Sequence, residues 1–153
     1  DIFVGNTPVE FRSTRDAEGA GIAIIHQELA LFPDMTVGEN LFLGAFPRRF
    51  GRIDWDRVYA QSAATLADCG IQLDPAVRVG DLGVGQQQLV EIARAVGRKP
   101  KVLVLDEPTA ALARHEIDTL LDLVRRLRSR AVACVFISHK LDEVLAIADE
   151  YVT

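Results

Sequence analysis

Three apolar runs in the sequence each end on polar side chains of the kinds used in phosphate and metal chemistry. The runs are Ile22 to Ile25, Val102 to Leu105 and Val132 to Ile137, and they are followed by His26-Gln27, Asp106-Glu107 and Ser138-His139 in turn. In an open parallel sheet the ligand crevice lies at the carboxyl ends of the strands, so these side chains are expected to converge there. An amide, two carboxylates and an imidazole can together hold a metal ion, activate water and contact a phosphate.

The same three runs are predicted to be strands of a mostly parallel sheet. Each is an unbroken apolar stretch, which is typical of strands covered on both faces. Helices are predicted at Ser13 to Ala20, Thr36 to Leu43, Asp54 to Cys69, Gly85 to Gly97, Ile117 to Arg130 and Leu141 to Ala148. Strands that alternate with helices indicate an α/β fold. The helix-rich stretch from Leu29 to Arg98 interrupts this alternation and is interpreted as a helical insertion.

Smaller elements complete the predicted organisation. Ile2 to Val4 and Pro8 to Phe11 flank the turn dipeptide Gly5-Asn6 and predict a hairpin. Tyr151-Val152 is interpreted as the start of another strand. The helix from Asp54 to Cys69 is predicted to bury one stripe, made of Trp55, Val58, Tyr59, Ala63, Leu66 and Ala67.

Length and composition restrict the class of protein. The chain has 153 residues, 49% of them apolar and 25% charged, which favours one globular unit over disorder or a coiled coil. Its net charge of -5 disfavours a domain that binds nucleic acid by neutralising phosphates. Two distant cysteines, Cys69 and Cys134, do not suggest a disulfide framework, and a reducing cytosol is expected. Because the sequence begins with Asp1 and a predicted strand, we expect it to be a piece of a longer protein.

The run Lys101-Val102-Leu103-Val104-Leu105-Asp106-Glu107-Pro108-Thr109 resembles the Walker B strand of an ABC-type ATPase. Four apolar residues and an acid are a weak signal alone, but further family motifs occur in the expected order. Gln27 resembles the Q-loop, Leu82-Gly83-Val84-Gly85-Gln86 the signature motif, Ala110 to Ala113 the D-loop, and His139 the switch histidine. The resemblance implies a P-loop NTPase core with a helical subdomain, truncated at its N-terminus.

Other segments are similar to the first half of tandem ATPases that energise monosaccharide import. They are Gly21 to Leu29, Leu31-Phe32-Pro33, Thr36 to Asn40 and Val84 to Gln88. This similarity implies a partial nucleotide-binding domain, with residues 1–28 and 99–153 in the ATPase core and residues 29–98 in the helical and signature subdomain. The implied activity is Mg²⁺-dependent ATP hydrolysis coupled to import of a ribose-, xylose- or galactose-like sugar.

The resemblance also implies a role for each motif residue. Asp106 would hold Mg²⁺ with Gln27, Glu107 would orient and deprotonate the attacking water, and His139 would donate to the γ-phosphate. Gln27 would also report the state of the nucleotide to the membrane partner. The signature residues Leu82, Gly83, Val84, Gly85 and Gln86 open a helix whose N-terminus would face ATP bound by a second subunit.

Partners and location are expected on the same basis. Transmembrane permease subunits would contact the region from Gln27 to Phe42, and a second nucleotide-binding domain would pair head to tail with this one. A periplasmic sugar-binding protein would act indirectly, and nucleic acid is not an expected partner. The protein would lie at the cytoplasmic face of the inner membrane as a peripheral subunit.

Three departures from the family pattern leave an alternative open. No Gly-x-x-x-x-Gly-Lys-Ser/Thr occurs in the sequence, and we attribute this to truncation. Gly83 stands where the signature motif usually has a serine, and Ala113 closes a D-loop that often carries an acid. The alternatives are a non-catalytic ABC half that docks on a partner without turnover, and an importer ATPase for another small solute. A soluble ABC protein of DNA repair or translation is disfavoured by net charge.

Single residues also have simpler interpretations. Asp106 and Glu107 considered alone are more typical of a surface turn, and a lone His139 is more typical of a structural histidine. The apolar side chains of Leu29, Leu31, Phe32, Met35 and Phe42 line either the core or a groove for a permease helix. Arg48, Arg49 and Arg52 fit a solvated loop better than a contact with lipid or a partner.

Overall fold

The computed structural model describes residues 2–4, 7–26 and 28–150. Its strands are β1 (Ile2–Val4), β2 (Thr7–Val9), β3 (Ile22–Ile25), β4 (Arg48–Arg49), β5 (Arg52–Ile53), β6 (Val102–Asp106) and β7 (Ala133–Ile137). Its helices are α1 (Thr14–Gly19), α2 (Val37–Leu41), α3 (Trp55–Cys69), α4 (Val84–Gly97), α5 (Arg114–Ser129) and α6 (Leu141–Ile147). The predicted strand at Tyr151-Val152 and the turn at Gly5-Asn6 lie outside the described residues.

The central sheet contains β3, β6 and β7, in that spatial order and all parallel. Ile25 pairs with Leu105, and Asp106 pairs with Ile137, so the carboxyl ends of the three strands lie side by side. The α/β class and the parallel sheet expected from the sequence are confirmed. The pair β1–β2 forms the expected antiparallel hairpin.

Two helices begin at capping residues that can be recognised in the sequence. The Thr36 hydroxyl accepts a hydrogen bond from the Glu39 amide at 3.2 Å, and the Glu39 carboxylate accepts one from the Thr36 amide at 2.7 Å. Ser13 and Asp16 form the same reciprocal pair at the start of α1. Helix α5 ends within one residue of the predicted end but begins three residues before the predicted Ile117, because it starts at its cap and not at its first apolar residue.

The core lies between one face of the sheet and the helices α3, α4 and α5. Its fully buried members include Leu66, Ile92, Leu103, Leu105 and Leu120. Burying each such side chain stabilises the fold by roughly 1.5 to 3 kcal/mol before entropy is counted. Strands β3 and β6 and helix α4 therefore pack against one another through one shared core.

The expectation that the three central strands are covered on both faces is wrong. Along β6 buried and half-buried residues alternate, and Ile24, Val135 and Ile137 are 46%, 47% and 47% exposed. One face carries the core, whereas the residues of the other face are half-buried or exposed. A continuous apolar run does not distinguish these cases, because the uncovered face of each strand is also apolar.

The buried stripe of α3 also differs from the predicted one. Val58, Ser62, Leu66 and Cys69 are buried, whereas Ala63 and Ala67 are exposed and Trp55 is 43% exposed. The side of α3 that faces α2 and α4 decides which residues are covered. Trp55 instead packs edge to face on Phe46, with ring centroids 5.8 Å apart.

The arginine-rich segment expected as a solvated loop forms a small hairpin of β4 and β5. Its turn residues Phe50 and Gly51 both have positive φ, 51° and 81°, as a two-residue hairpin turn requires. The three arginines are exposed, as expected for a solvated segment. None of the helices that the structure describes combines the length and apolar character that a transmembrane span requires.

Candidate active site

Glu107 and His139 meet at the carboxyl end of the parallel sheet. The Glu107 amide donates to the Ile137 carbonyl at 2.9 Å, which joins the turn after β6 to the end of β7. The Glu107 Oε1 atom then lies 3.1 Å from His139 Nδ1. The convergence expected for these two residues is confirmed, since neighbouring strand ends bring residues that are 32 positions apart in sequence into hydrogen-bond distance.

Glu107 has an unusual backbone conformation for its type. Its φ is +46°, in the left-handed region that non-glycine residues seldom occupy, and its carbonyl accepts from the Ala110 amide at 3.2 Å. Such conformations cost of order 1 to 3 kcal/mol and occur often at functional sites. The turn leaves the Glu107 side chain 34% exposed, and His139 is 68% exposed. A partly exposed carboxylate of this kind can accept a proton from a nearby water molecule.

Asp106 is the last residue of β6, and its side chain is half-buried. Within the described ranges 2–4, 7–26 and 28–150, no three His, Cys, Asp or Glu side chains form a metal-binding group. Mg²⁺ is commonly held by one or two carboxylates together with water and substrate phosphates. A single accessible aspartate at the strand end therefore fits Mg²⁺ bound with a nucleotide, and it does not fit an all-protein metal cage.

The signature segment forms the entry to α4. Gly83 occupies the N-cap position with φ −62° and ψ 154°, and its amide donates to the Gln86 side chain at 3.2 Å. The Gln87 side chain donates to the Leu82 carbonyl at 3.0 Å, which fixes the loop before the helix. Among the described residues, no hydrogen bond or ion pair joins this segment to Glu107 or His139.

Gln27 lies outside the described residues, but the segment that follows it is held firmly against α4. The Glu91 carboxylate accepts from the Ala30 amide at 3.2 and 3.3 Å, and Arg94 donates to the Ala30 carbonyl at 2.8 Å. Glu91 is only 6% exposed, and this burial raises the pKa of its carboxyl group against the lowering effect of the Ala30 amide. Burial also lowers the pKa of Arg94. The amide and the carbonyl of Ala30 are therefore both hydrogen-bonded to side chains from one turn of α4.

The next part of this segment is held by Asn40, which is fully buried. Its side chain accepts from the Phe32 amide at 2.8 Å and donates to the carbonyls of Phe32 and Thr36, both at 3.0 Å. Phe32 itself is 53% exposed, whereas Leu29, Leu31, Met35 and Phe42 are half-buried. Leu31 packs against the core, whereas Phe32 faces solvent.

The sequence did not identify Glu91, Arg94 or Asn40 as important. A signal exists for Glu91, because it lies on the same helical face as Gln88 and Ala95, both of which are buried. A charged residue on the core-facing side of a helix indicates a specific partner. The partner, an amide 61 residues away, cannot be read from local periodicity.

Comparison with known proteins places this geometry in a family. The sequence model described as ABC transporter matches residues 1–110. The chain is 48% identical over 149 residues to the xylose import ATP-binding protein XylG of Moorella thermoacetica, covering 97% of this chain and 30% of that protein. It is 52% identical over 149 residues to XylG of Photobacterium profundum, covering 97% of this chain and 29% of that protein. The chain thus spans about 30% of the length of the curated relatives it matches.

Solved structures give the same fold. A nucleotide-free ATP-binding cassette from an ABC transporter superposes with a TM-score of 0.73 and 25% identity, over 94% of this chain and 61% of that chain. A dimeric cassette in a post-hydrolysis state bound to ADP and Pi superposes with a TM-score of 0.76 and 20% identity, over 94% and 64%. The expected ABC-type α/β core is confirmed, and the chain belongs to the ABC transporter family.

Proposed function

We propose that this chain is part of a nucleotide-binding domain that hydrolyses ATP to energise the import of a sugar. The observation that carries the proposal is the Glu107–His139 pair, 3.1 Å apart at the carboxyl end of a parallel sheet in an ABC family member. The identity of about 50% to xylose import proteins favours a monosaccharide such as xylose as the cargo. In this proposal residues 1–28 and 99–153 belong to the ATPase core, and residues 29–98 to the helical subdomain.

In this mechanism Glu107 is the general base. Its half-buried carboxylate accepts the proton of the attacking water, and its left-handed turn directs the side chain into the crevice beside His139. His139 binds and orients the γ-phosphate as a hydrogen-bond donor. The Glu107 amide is hydrogen-bonded to the Ile137 carbonyl at the end of β7. The side chains of Glu107 and His139 are therefore already adjacent, and the sheet need not rearrange before reaction.

Asp106, with Gln27, is proposed to hold Mg²⁺ together with the nucleotide. Bound Mg²⁺ supplies neutralisation of the charge on the phosphate oxygens. The half-buried position of Asp106 at the strand end supports this assignment, since a carboxylate fully enclosed by protein donors would leave no room for a phosphate-bound ion.

The signature segment is proposed to act on the other nucleotide of a head-to-tail pair. Leu82, Gly83, Val84, Gly85 and Gln86 lie at the N-terminus of a 14-residue helix, where backbone amides and the helix dipole favour an anion. In this proposal Glu107 and His139 act on the nucleotide of this domain, so that the two domains divide the labour. The segment from Gln27 to Phe42 is proposed to contact the permease at the cytoplasmic face of the inner membrane, with a periplasmic sugar-binding protein acting indirectly.

The test is Glu107→Gln in a full-length ATPase that carries this segment. The amide keeps the shape and the hydrogen bonding but cannot accept the proton, so turnover should fall by roughly 10² to 10⁴-fold while ATP binding persists. Glu10→Gln, at a carboxylate that is 82% exposed, is the matched control and should leave turnover unchanged. Absence of Mg²⁺-dependent hydrolysis in the unaltered protein would indicate instead a non-catalytic docking half, the role that Gly83 favours.

A further inference from the structure

A further carboxylate is hydrogen-bonded to the two loops that carry Glu107 and His139. Glu143, on α6, has a side chain that is only 12% exposed. Its Oε2 atom accepts from the Thr109 hydroxyl at 2.6 Å and from the Ser138 hydroxyl at 3.5 Å, and its Oε1 atom lies 3.3 Å from the Lys140 ammonium. Neither the motifs nor the proposed reaction assigns a role to this residue.

The donors to Glu143 come from both loops of the site. Thr109 is two residues after Glu107, whereas Ser138 and Lys140 directly flank His139. The Lys140 ammonium also donates to the Thr109 carbonyl at 3.4 Å. Glu143 therefore connects the turn that carries the carboxylate to the loop that carries the imidazole.

The hydrogen bonds to Glu143 are expected to restrict the movement of the two loops. Thr109 is 2% exposed, and its short hydrogen bond to a carboxylate is charge-assisted and about twice as strong as a neutral one. Displacing either loop would leave a buried carboxylate short of donors, which is costly. The left-handed turn at Glu107 is itself unfavourable, so it needs such an anchor two residues away.

We propose that Glu143 is a positioning residue that holds Glu107 and His139 in their productive relative placement. The proposal rests on the proposed function, because it assumes that Glu107 is the general base. Glu143 touches neither water nor nucleotide in this scheme and acts only through the two loops. Its removal should therefore lower the rate of the chemical step and leave nucleotide binding nearly unchanged.

The experiment compares kcat and KM for ATP hydrolysis in a full-length ATPase that carries this segment. Glu143→Ala should lower kcat by roughly tenfold or more, since misplacement of a reacting group by 1 Å can cost about 10²-fold, with KM within about twofold of the unaltered protein. Glu143→Gln keeps an acceptor for Thr109 and should retain more activity than Glu143→Ala. Asp142→Ala, at the exposed neighbouring carboxylate of α6, is the control and should leave both constants unchanged.

Two further variants separate positioning from a merely structural role. Thr109→Val removes the hydroxyl donor at nearly constant shape and should reproduce the loss in kcat, whereas Thr109→Ser should restore most of it. In a Glu107→Gln background, Glu143→Ala should cause a smaller loss than in the unaltered protein, because only the placement of His139 then remains to be disturbed.

Normal kcat in folded Glu143→Ala protein would overturn the inference. So would a full additional loss in the Glu107→Gln background, or a fall in kcat that only matches a fall in the folded fraction. If Glu107→Gln abolishes turnover while Glu143→Ala does not affect it, the inference fails and the proposed function stands. If the unaltered protein does not hydrolyse ATP, both fail.

Discussion

The carboxylate of Glu116 occupies the space that a side chain at position 85 would need. A Cβ atom on Gly85 would lie 2.7 Å from Glu116 Cδ and 2.9 Å from Oε1, closer than Cβ atoms are found in proteins. Glu116 is 9% exposed, and its Oε2 atom accepts from the Ala113 amide at 2.8 Å. One buried side chain therefore joins the start of the signature helix α4 to the loop before α5.

This contact predicts that the effect of Gly85→Ala changes sign with residue 116. In the unaltered protein the added methyl group should destabilise by roughly 1 to 3 kcal/mol, because it displaces a carboxylate that is packed and hydrogen-bonded. In a Glu116→Ala background the space is free, and the better helix propensity of alanine should stabilise by up to about 1 kcal/mol. Thermal unfolding of the four proteins, in full-length form, measures the difference.

Gly97→Ala on the same helix is a suitable control for the Gly85 prediction. A Cβ at position 97 would meet Thr65 Cγ2 at 3.4 Å, an ordinary contact far from Glu116. Its effect should be the same with and without Glu116. Equal effects of Gly85→Ala in both backgrounds would contradict the predicted contact.

A second prediction concerns the hydrogen bond from the Ala30 amide to the Glu91 carboxylate. Glu91→Ala removes the acceptor of the Ala30 amide. Hydrogen exchange of the segment from Leu29 to Leu31 should therefore become faster by roughly tenfold or more, which corresponds to about 1.4 kcal/mol in the free energy of local opening. Glu91→Gln should keep most of the protection. Mass spectrometry of peptides from the full-length protein gives the readout, and Asp34→Ala, at an exposed acid of the same loop, should have no effect.

The pH dependence of this hydrogen bond follows from the raised pKa of Glu91. Since burial disfavours the ionised carboxylate, the folded state binds the proton more tightly than the unfolded state does. The contribution of Glu91 to stability is therefore largest below its ordinary pKa of 4.5 and falls as the pH rises through the folded value. Glu91→Gln should lose this dependence. A contribution that instead increased with pH would contradict the burial of the charge.

The sequence predicted those parts of the fold that depend on local pattern. The predicted bounds of β3 are correct, and the predicted start of α3 is within one residue of the observed start. Both depend on an apolar run or a capping residue, and these signals lie within the element or directly beside it. The meeting of Glu107 and His139 also followed from local information, since both residues end parallel strands.

Contacts between distant side chains could not be predicted in this way. Thr109 and Glu143 are 34 residues apart, and Gly85 and Glu116 are brought together only by the packing of α4 on α5. The apolar runs of the three central strands also led to the wrong prediction that both faces of the sheet are covered. Whether a face is covered depends on what packs on it, which is a property of the whole assembly and not of the strand.

A third prediction follows from the uncovered face of the sheet. Ile24, Val135 and Ile137 are nearly half exposed, and Leu141 and Leu145 on α6 are 66% and 63% exposed. Apolar surface of this extent tends to associate with another chain. The 153-residue chain alone should therefore self-associate at micromolar concentration, as measured by light scattering. Val135→Lys should reduce association, whereas Phe50→Ser, at a side chain 94% exposed on the distant hairpin, should not. A clean monomer would contradict this prediction.

The last prediction concerns Gly83, where the signature motif usually has a serine. Its backbone is extended, with φ −62° and ψ 154°, and the nearest atom to an added Cβ is Gln86 Oε1 at 3.9 Å. Gly83→Ser should therefore fit without strain. The new hydroxyl can accept from the first turn of α4, as a capping residue does, and still donate its proton outward to a phosphate.

If this segment completes the nucleotide site of a partner domain, the added donor should speed hydrolysis at that site. A hydrogen bond to a charged group contributes about 1.5 to 3 kcal/mol, and because part of this is lost to imperfect geometry we expect a gain of roughly three- to tenfold. Gly83→Ala fits the same space without a hydroxyl, so it is the matched control and should leave the rate unchanged. Steady-state ATPase activity of the three full-length proteins decides the matter. An equal response to serine and alanine would show that no phosphate lies near position 83, and residues 82 to 86 would then not be the signature motif.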